Sequence, residues 1–346
     1  MIKESDLSPV GVGGDRKIIL DDFANVAVFY HPVVLDVSTL DKLDDDAKRL
    51  TQESVQGSVE AAAASADACA ESVSRAALLV MVIKIMQGRF GIRRVVVQTL
   101  VDMINNKTTP VFHSTTTTLN ASAGMELVEV LMGQGGNCFT PHGVLPAKEA
   151  LKTAGISSVQ LSQSEASTLI HCQFFTTGAS ALFVCGVSNA VCMLDVIASL
   201  TCEASCVNVY SFDSFTFDIC RQQRGQIASS ANVRQMLEGS KRCNSSRAIA
   251  SSESIHQIPQ IHGPIQECLL VCKKSLEIEL GSTERGPIAS AVDGFNPSQS
   301  ILAVKNAIEA LSMAVQASVS RKIELEGCTG PAAENIQQTI FYDLLV

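Results

Sequence analysis

The chain has 346 residues, of which 46% are hydrophobic and 18% are charged, a balance that is typical of a globular protein and excludes a disordered one. Its formal net charge of -9 argues against direct nucleic-acid binding, because phosphate contacts depend on clustered Lys and Arg. The sequence also has no basic stripe with interleaved aromatic residues.

The N-terminal part is predicted to be irregular. Residues 1–16 contain three closely spaced glycines and are interpreted as a flexible tail, because no strand-turn-helix pattern follows that would make them a nucleotide-binding loop. The only candidate strands are "KIIL" at 17–20 and "HPVVLDV" at 31–37. The tail lacks the apolar core of a secretory signal, so we expect an intracellular protein, cytoplasmic by default, with an organelle or a cytoskeletal assembly left open.

Cysteine is abundant, with 12 residues in the chain. In a reducing compartment free cysteines behave as small hydrophobic residues. There is no C-x-x-C pair, and the six histidines do not fall at ligand spacing beside the cysteines. We therefore predict buried core thiols and no metal site.

Helical signals dominate from Leu40 onward. Residues 43–86 are rich in Ala, Leu and Glu, and residues 92–106 carry apolar residues at three-four spacing. A polar loop at 107–119 follows, and then an apolar cluster that is predicted to end as a helix at Gly133.

The second half repeats this pattern. Pro146 and Gly155 are predicted to bracket a helix, and residues 162–200 indicate one or two long buried helices. The apolar run 181–200 contains Asn189 and Asp195, which favours a core helix over a membrane span. Further helices are predicted at 263–280 and 298–325, whereas residues 208–225 look less regular. The predicted fold class is all-α, a bundle of long central helices with a small irregular N-terminal part.

Several stretches resemble the histidine and phenylalanine ammonia-lyases, and histidine ammonia-lyase more closely. They are "SRAALLVMVIKIMQGRFGIRRVVVQTLVDMINNKTTPVFHS", "LMGQG", "GVLPAKEALKTAGISSVQLSQSEASTLI", "RGQIASSANVRQMLEGS", "IPQIHGPIQECLLVCKKSLEIELGS" and "VSRKIEL", in the order of the family. The resemblance implies the helical core shared with fumarase and aspartase. It divides the chain into a tail at 1–16, an N-terminal lyase-like region at 17–110 and a central bundle domain at 111–346 that stops before the family's C-terminal region.

The resemblance also implies a chemistry. In the family an Ala-Ser-Gly triplet cyclises into an electrophilic methylidene-imidazolone ring, which removes ammonia from an amino acid. Aligned without a gap from Gly133-Gln134-Gly135, the triplet falls on Thr117, Thr118 and Leu119, where no glycine is present. The stretch Ala121-Ser122-Ala123 requires a four-residue shift, still lacks the glycine, and is explained by helix capping and small-residue packing. We expect no ring and no other cofactor.

Other positions of the family's site also differ. Its Asn-Gly-Thr-Gln motif falls on residues 171–174, with His171 and Phe174 in place of the asparagine and the glutamine. Its Tyr-Ser-Leu-Arg motif falls on residues 253–256, with Glu253 and His256 in place of the tyrosine and the carboxylate-binding arginine. The tyrosine loop, expected between residues 56 and 71, has no tyrosine. His262, in the retained "IPQIHG", is interpreted as a hydrogen-bonded structural histidine.

The sequence therefore predicts a catalytically inactive relative of the lyases that serves as a structural or interaction subunit. Its apolar helix faces predict protein partners, either further copies of the chain or other subunits of a larger assembly. Two alternatives stay open: a residual or altered lyase in which His171 and His256 act as acid and base, and an amino-acid-binding protein without turnover.

Overall fold

The computed structural model describes residues 7–14, 16, 18–50, 68–88, 90–113, 119–204, 206–243 and 253–282. The helices in this part of the chain are α1 (Leu20–Ala27), α2 (Val37–Leu50), α3 (Glu71–Gln87), α4 (Arg94–Asn105), α5 (Leu119–Met132), α6 (Ala147–Thr153), α7 (Gln163–His171), α8 (Phe175–Ala204), α9 (Arg224–Met236), α10 (Glu253–His256) and α11 (Ile258–Gly281). The strands are β1 (Val10–Val12), β2 (Val33–Leu35), β3 (Thr109–Pro110), β4 (Asn137–Thr140) and β5 (Gly143–Pro146). The predicted all-α class is confirmed.

The chain divides into two compact units, which are described separately. Unit 1 comprises residues 1–185 and 276–301, and unit 2 comprises residues 186–275 and 302–346. The boundaries between the two units fall within α8 and α11. The domain boundary that the sequence predicted between residues 110 and 111 stays a prediction. The predicted helix at 298–325 lies outside the described residues.

Helix α3 is the centre of unit 1. Every residue from Ser74 to Met86 is buried, including Arg75 and Lys84. A helix that is buried on all sides needs neighbours on all sides, and α1, α4 and β3 pack against it. Lys84 is accommodated because its Nζ donates to the carbonyl oxygen of Glu279 at 2.7 Å and to its Oε1 at 3.1 Å.

Two small sheets complete unit 1. Strands β1 and β2 pair in parallel, with Val10 opposite Val33. Strands β3, β4 and β5 form an antiparallel sheet in that order. The hairpin of β4 and β5 was not predicted, because each strand has only four residues and shows little alternation.

Two predictions near the N-terminus were wrong. The described residues of "KIIL" form no strand: Ile19 has an extended backbone as the N-cap of α1, which begins at Leu20. The carboxylate of Asp22 accepts a hydrogen bond from the backbone nitrogen of Ile19 at 3.1 Å and so satisfies one of the free amides at the helix start. The flexible tail at 1–16 also needs correction, because Val10–Val12 forms β1.

Predicted helix ends agree well with the structure. Helix α5 ends at Met132, and Gly133 follows with a φ of 67°. Helix α6 is preceded by Pro146 as its N-cap, and Gly155 follows its end with a φ of 70°. Left-handed backbone at these two positions explains why glycine terminates both helices.

Unit 2 has its own core, formed by the residues Cys202, Val207, Phe212, Val233, Leu237, Cys243 and Ile255. Helix α11 begins at Ile258 and continues through Pro264, although the sequence predicted a start at Gly263-Pro264. Gly263 packs tightly against α9, because a Cβ on it would lie 2.6 Å from the backbone nitrogen of Gln226 at the start of α9. Helices α9 and α11 therefore approach closely where only glycine fits.

One stretch of the described residues, Gln163–Ala204, is long and apolar enough to cross a membrane by length and composition. Core helices of folded proteins satisfy the same criterion. Asp195 within α8 is 1% exposed and is bound by polar side chains of α9 and α11. This environment agrees with the prediction of a core helix.

Candidate functional site

The ungapped alignment puts the family's triplet on residues 117–119, a placement that stays a prediction and that falls after β3 and at the start of α5. Thr117 and Thr118 fall outside the described residues, and Leu119 is the first residue of α5. The segment before the gap ends at His113, which pairs in a single antiparallel bridge with Ala68.

Ser122 and Gly124 lie inside α5, so the small residues do not cap the helix as expected. Gly124 is buried at the crossing of α5 and α7, where an added Cβ would lie 2.5 Å from the Cα of Ile170. The packing explanation of this glycine is therefore supported, because any side chain would force the two helix backbones apart.

A histidine–glutamate pair connects the residue that precedes positions 114–118 with helix α5, which follows them. His113 Nδ1 lies 2.7 Å from Oε1 of Glu126, which is on α5. The backbone nitrogen of His113 donates to Oε2 of the same carboxylate at 3.2 Å. The carboxylate thus fixes both the main chain and the ring of His113.

The two side chains of this pair differ in burial. Burial raises the pKa of Glu126, and the hydrogen bonds from His113 offset part of that rise. The side chain of His113 is 40% exposed, against 23% for Glu126. When the carboxylate is ionised, Nδ1 is the donor and Nε2 of a neutral ring is left to accept a proton or a ligand.

The second group of predicted site residues lies at the end of α7 in unit 1. His171 is the last residue of α7 and is partly buried. Phe174 is fully buried, and its ring meets that of Phe112 edge to face with centroids 5.8 Å apart. Phe174 thus contributes to an aromatic core contact, where a glutamine would present a polar amide.

The third group lies in unit 2. Glu253 begins α10, and nothing is described of its side chain, whereas His256 ends α10 and is exposed. His262 is buried and its Nδ1 lies 2.8 Å from Oδ1 of Asp195, which agrees with the prediction of a hydrogen-bonded structural histidine.

The described residues contain no group of three or more His, Cys, Asp or Glu side chains that could hold a metal ion. Their eleven cysteines are free thiols. Burial raises the pKa of Cys138 to about 12, which makes it an unreactive thiol.

Sequence reasoning missed the pair of His113 and Glu126. Thirteen residues separate them, and no motif connects them. The available signal was weak, because Glu126 is one of two acidic residues in the otherwise apolar second half of α5, with Glu129 as the other.

The model of the aromatic amino acid lyase family matches residues 38–321. The chain belongs to this family. The lyase-family chain is 30% identical over 234 residues to the histidine ammonia-lyase of Caldanaerobacter subterraneus, covering 66% of this chain and 46% of that protein. It is 29% identical over 229 residues to the histidine ammonia-lyase of Alkaliphilus oremlandii, covering 64% of this chain and 45% of that protein. It therefore spans about half the length of these relatives.

Solved structures support the fold. A tyrosine aminomutase from Streptomyces globisporus matches with a TM-score of 0.76 at 18% identity, covering 91% of this chain and 71% of that one. The histidine ammonia-lyase of Trypanosoma cruzi matches with a TM-score of 0.75 at 16% identity, covering 91% and 67%. At this level of identity the likeness concerns the fold alone.

Proposed function

We propose that this lyase-family chain does not form the family's electrophilic ring and acts as a structural or interaction subunit of a protein assembly inside the cell. The proposal rests chiefly on one observation. No glycine stands at Leu119, on which the ungapped alignment puts the third residue of the precursor triplet, and Leu119 is the first residue of helix α5.

The residues at the triplet do not suit ring formation. In the family the nitrogen of a glycine attacks the alanine carbonyl within a tight turn, and two waters leave. At Leu119 the nucleophilic nitrogen would belong to a residue with a branched side chain, which restricts the backbone where glycine is free. Thr118 carries a hydroxyl that could leave as water, but without ring closure there is no electron sink.

The remaining site positions support loss of deamination. His256 replaces an arginine, and an imidazole cannot copy the bidentate contact of a guanidinium with a carboxylate. Phe174 packs against Phe112 and offers no hydrogen bond at the glutamine position. Loss of a single group could change substrate choice, whereas loss of several removes the transition-state contacts together.

An apolar stripe on α8 supports the interaction role. Met193, Ile197 and Leu200 lie on the side of α8 opposite Asp195 and are 53%, 44% and 62% exposed. Between Phe175 and Ala204 the helix contains only two charged residues, Asp195 and Glu203. An exposed apolar face of this length is typical of protein interfaces.

The proposal predicts that the purified chain releases no ammonia from histidine, phenylalanine or tyrosine and lacks near-ultraviolet absorption from a cyclised ring. A histidine ammonia-lyase assayed in parallel is the positive control. Turnover by the wild-type chain that disappears in Ser122→Ala would contradict the proposal and would place the precursor at the alternative triplet.

The second candidate function is an altered lyase or an amino-acid-binding protein, and the pair of His113 and Glu126 favours it. Such a protein would use Nε2 of His113 as a base or as a hydrogen-bond acceptor for an amino group. A thermal-shift screen with amino acids tests it, since a ligand that binds only the folded state raises the melting temperature. A shift that His113→Ala abolishes would favour binding, and turnover lost in the same variant would favour catalysis.

A further inference from the structure

Three cysteine thiols of unit 2 lie near the C-terminal end of α8. Cys202 is in the last turn of this helix, Cys206 follows its end, and Cys243 lies after α9. Cys202 and Cys243 are buried, at 0% and 1% exposure, whereas Cys206 is partly exposed. All three are free thiols, and they differ in their access to solvent.

A turn that follows α9 brings Cys243 against this helix end. Its Sγ lies 3.6 Å from the carbonyl oxygen of Cys202 and donates to it. The same oxygen accepts a hydrogen bond from the backbone nitrogen of Val207 at 3.0 Å. The thiol of Cys243 therefore lies beside the peptide group that joins Cys206 to Val207. This placement is compatible with the short distance between Cα atoms, about 4.4–6.8 Å, that a disulfide requires.

An arginine lies beside the more exposed thiol. The guanidinium of Arg242 forms a hydrogen bond with the Cys206 side chain, which raises the pKa of Arg242. Its Nη2 also donates to the carbonyl oxygen of Ala204 at 3.4 Å, which holds the side chain at the helix end. A positive charge beside a thiol favours the thiolate, which is the nucleophilic form. Cys202 is the opposite case, because burial raises its pKa to about 12 and leaves an unreactive thiol.

We propose that Cys206 and Cys243 are an oxidation-sensitive pair, in which Arg242 activates Cys206 for reaction with a peroxide and Cys243 then closes a disulfide. In the first step the Cys206 sulfur bonds to one oxygen of hydrogen peroxide and the O–O bond breaks. The leaving hydroxide takes the proton that the thiol released, which gives a sulfenic acid and one water. In the second step the Cys243 sulfur bonds to the Cys206 sulfur, the S–O bond breaks, and the hydroxyl leaves with the Cys243 proton as a second water.

Each thiol has the exposure that its step requires. Cys206 is partly exposed, so a small peroxide can reach it, whereas the buried Cys243 meets the sulfenic sulfur from within the fold. A reducing compartment returns such a disulfide to two thiols, which makes the modification reversible. The modification involves neither the triplet nor its ring, so it is independent of the proposed function.

Peptide mass spectrometry of the full chain tests the pair. The reduced chain is treated with hydrogen peroxide, alkylated and digested without reductant. The expected product is a peptide that joins Cys206 to Cys243, weighs two hydrogens less than its two parts, and separates on reduction with dithiothreitol. This measurement on the wild-type chain does not depend on how a variant folds. A disulfide of Cys202 with Cys243, or oxidation of Cys206 no faster than that of the exposed Cys192, would overturn the proposal.

Two substitutions separate the two steps. Cys243→Ser should stop the reaction at the sulfenic acid, which dimedone then traps at Cys206. Cys206→Ser should abolish the disulfide and leave Cys243 a free thiol after the same treatment. The proposal fails if Cys243→Ser gives no adduct at Cys206, or if Cys243 is still oxidised at the wild-type rate in Cys206→Ser.

The role of the arginine has its own test in the Cys243→Ser background. Arg242→Gln should slow adduct formation at Cys206 by roughly tenfold, because the thiolate loses a charge-assisted hydrogen bond. Arg221→Gln removes an exposed arginine elsewhere in unit 2 and is the matched control, with no change in rate expected. Equal rates in the two arginine variants would overturn the assignment of Arg242 as the activating group.

Discussion

Replacing Asp195 by asparagine should destabilise unit 2 more than any exposed substitution. The carboxylate is 1% exposed and accepts four hydrogen bonds that connect α8 to α9 and α11. Oδ1 accepts from Ser229 at 2.7 Å and from His262 at 2.8 Å, and Oδ2 accepts from Asn232 at 2.8 Å and from Gln266 at 3.2 Å.

The size of the destabilisation follows from the two donors that each carboxylate oxygen accepts. An asparagine keeps one acceptor oxygen and turns the other into an NH₂ group, which then faces two donors. Each buried donor left without an acceptor costs about 1–3 kcal/mol. Asp195→Asn should therefore lower the free energy of unfolding of unit 2 by roughly 2–5 kcal/mol.

The stability that Asp195 contributes should depend on pH in a defined direction. Burial alone would raise the pKa of Asp195, but hydrogen bonds from His262, Asn232 and Ser229 outweigh burial and lower it. The folded pKa then lies below the unfolded value of about 3.9. Stability from this group is present above pH of about 4 and is lost as pH falls through the folded pKa, so wild type and Asp195→Asn should converge in acid.

Urea unfolding followed by far-ultraviolet circular dichroism measures the difference, and hydrogen exchange assigns it to α8, α9 and α11. Asp218→Asn is the matched control, because Asp218 binds Arg234 in a partly exposed ion pair that should contribute less than about 1 kcal/mol. A change below about 0.5 kcal/mol for Asp195→Asn at neutral pH would refute the reasoning.

Two further predictions concern unit 1 and helix α8. Gly124→Ala should lower the free energy of unfolding by about 1–3 kcal/mol, because the added Cβ would press on the backbone of Ile170. Gly186→Ala is the matched control: no atom lies within 4 Å of its added Cβ, so it should be neutral or stabilising by up to about 1 kcal/mol. Thermal unfolding of both variants checks the contrast, and equal effects would contradict it. Lys84→Met should cost about 3–5 kcal/mol, because it leaves the carboxylate of Glu279 buried without its cation, and adding Glu279→Leu should recover part of the loss in the same assay.

Local chemistry explains which parts of the fold the sequence predicted. Glycine follows a helix end and proline precedes a helix start where expected, as Gly133 and Pro146 show. The strand predicted for "KIIL" failed because a capping interaction three residues away, between Asp22 and Ile19, outweighs β-propensity. Helix α11 passes through Pro264, so proline did not mark the start of this helix as predicted.

The candidate site was less accessible to sequence reasoning. The predicted replacement of the triplet's glycine by Leu119 comes from the sequence alone, because it depends on residue identity and on the ungapped alignment. The contacts of His113 with Glu126, and of Asp195 with partners 34 to 71 residues away, depend on how helices pack and have no local signature.

Peptide mass spectrometry across residues 113–124 of the purified chain tests the central claim most directly. Without ring formation, this segment has the mass of its unmodified residues, and every peptide bond in it fragments normally. A loss of two waters located at Thr117–Leu119 or at Ala121–Ala123, together with protection of the bonds inside that triplet, would contradict the account.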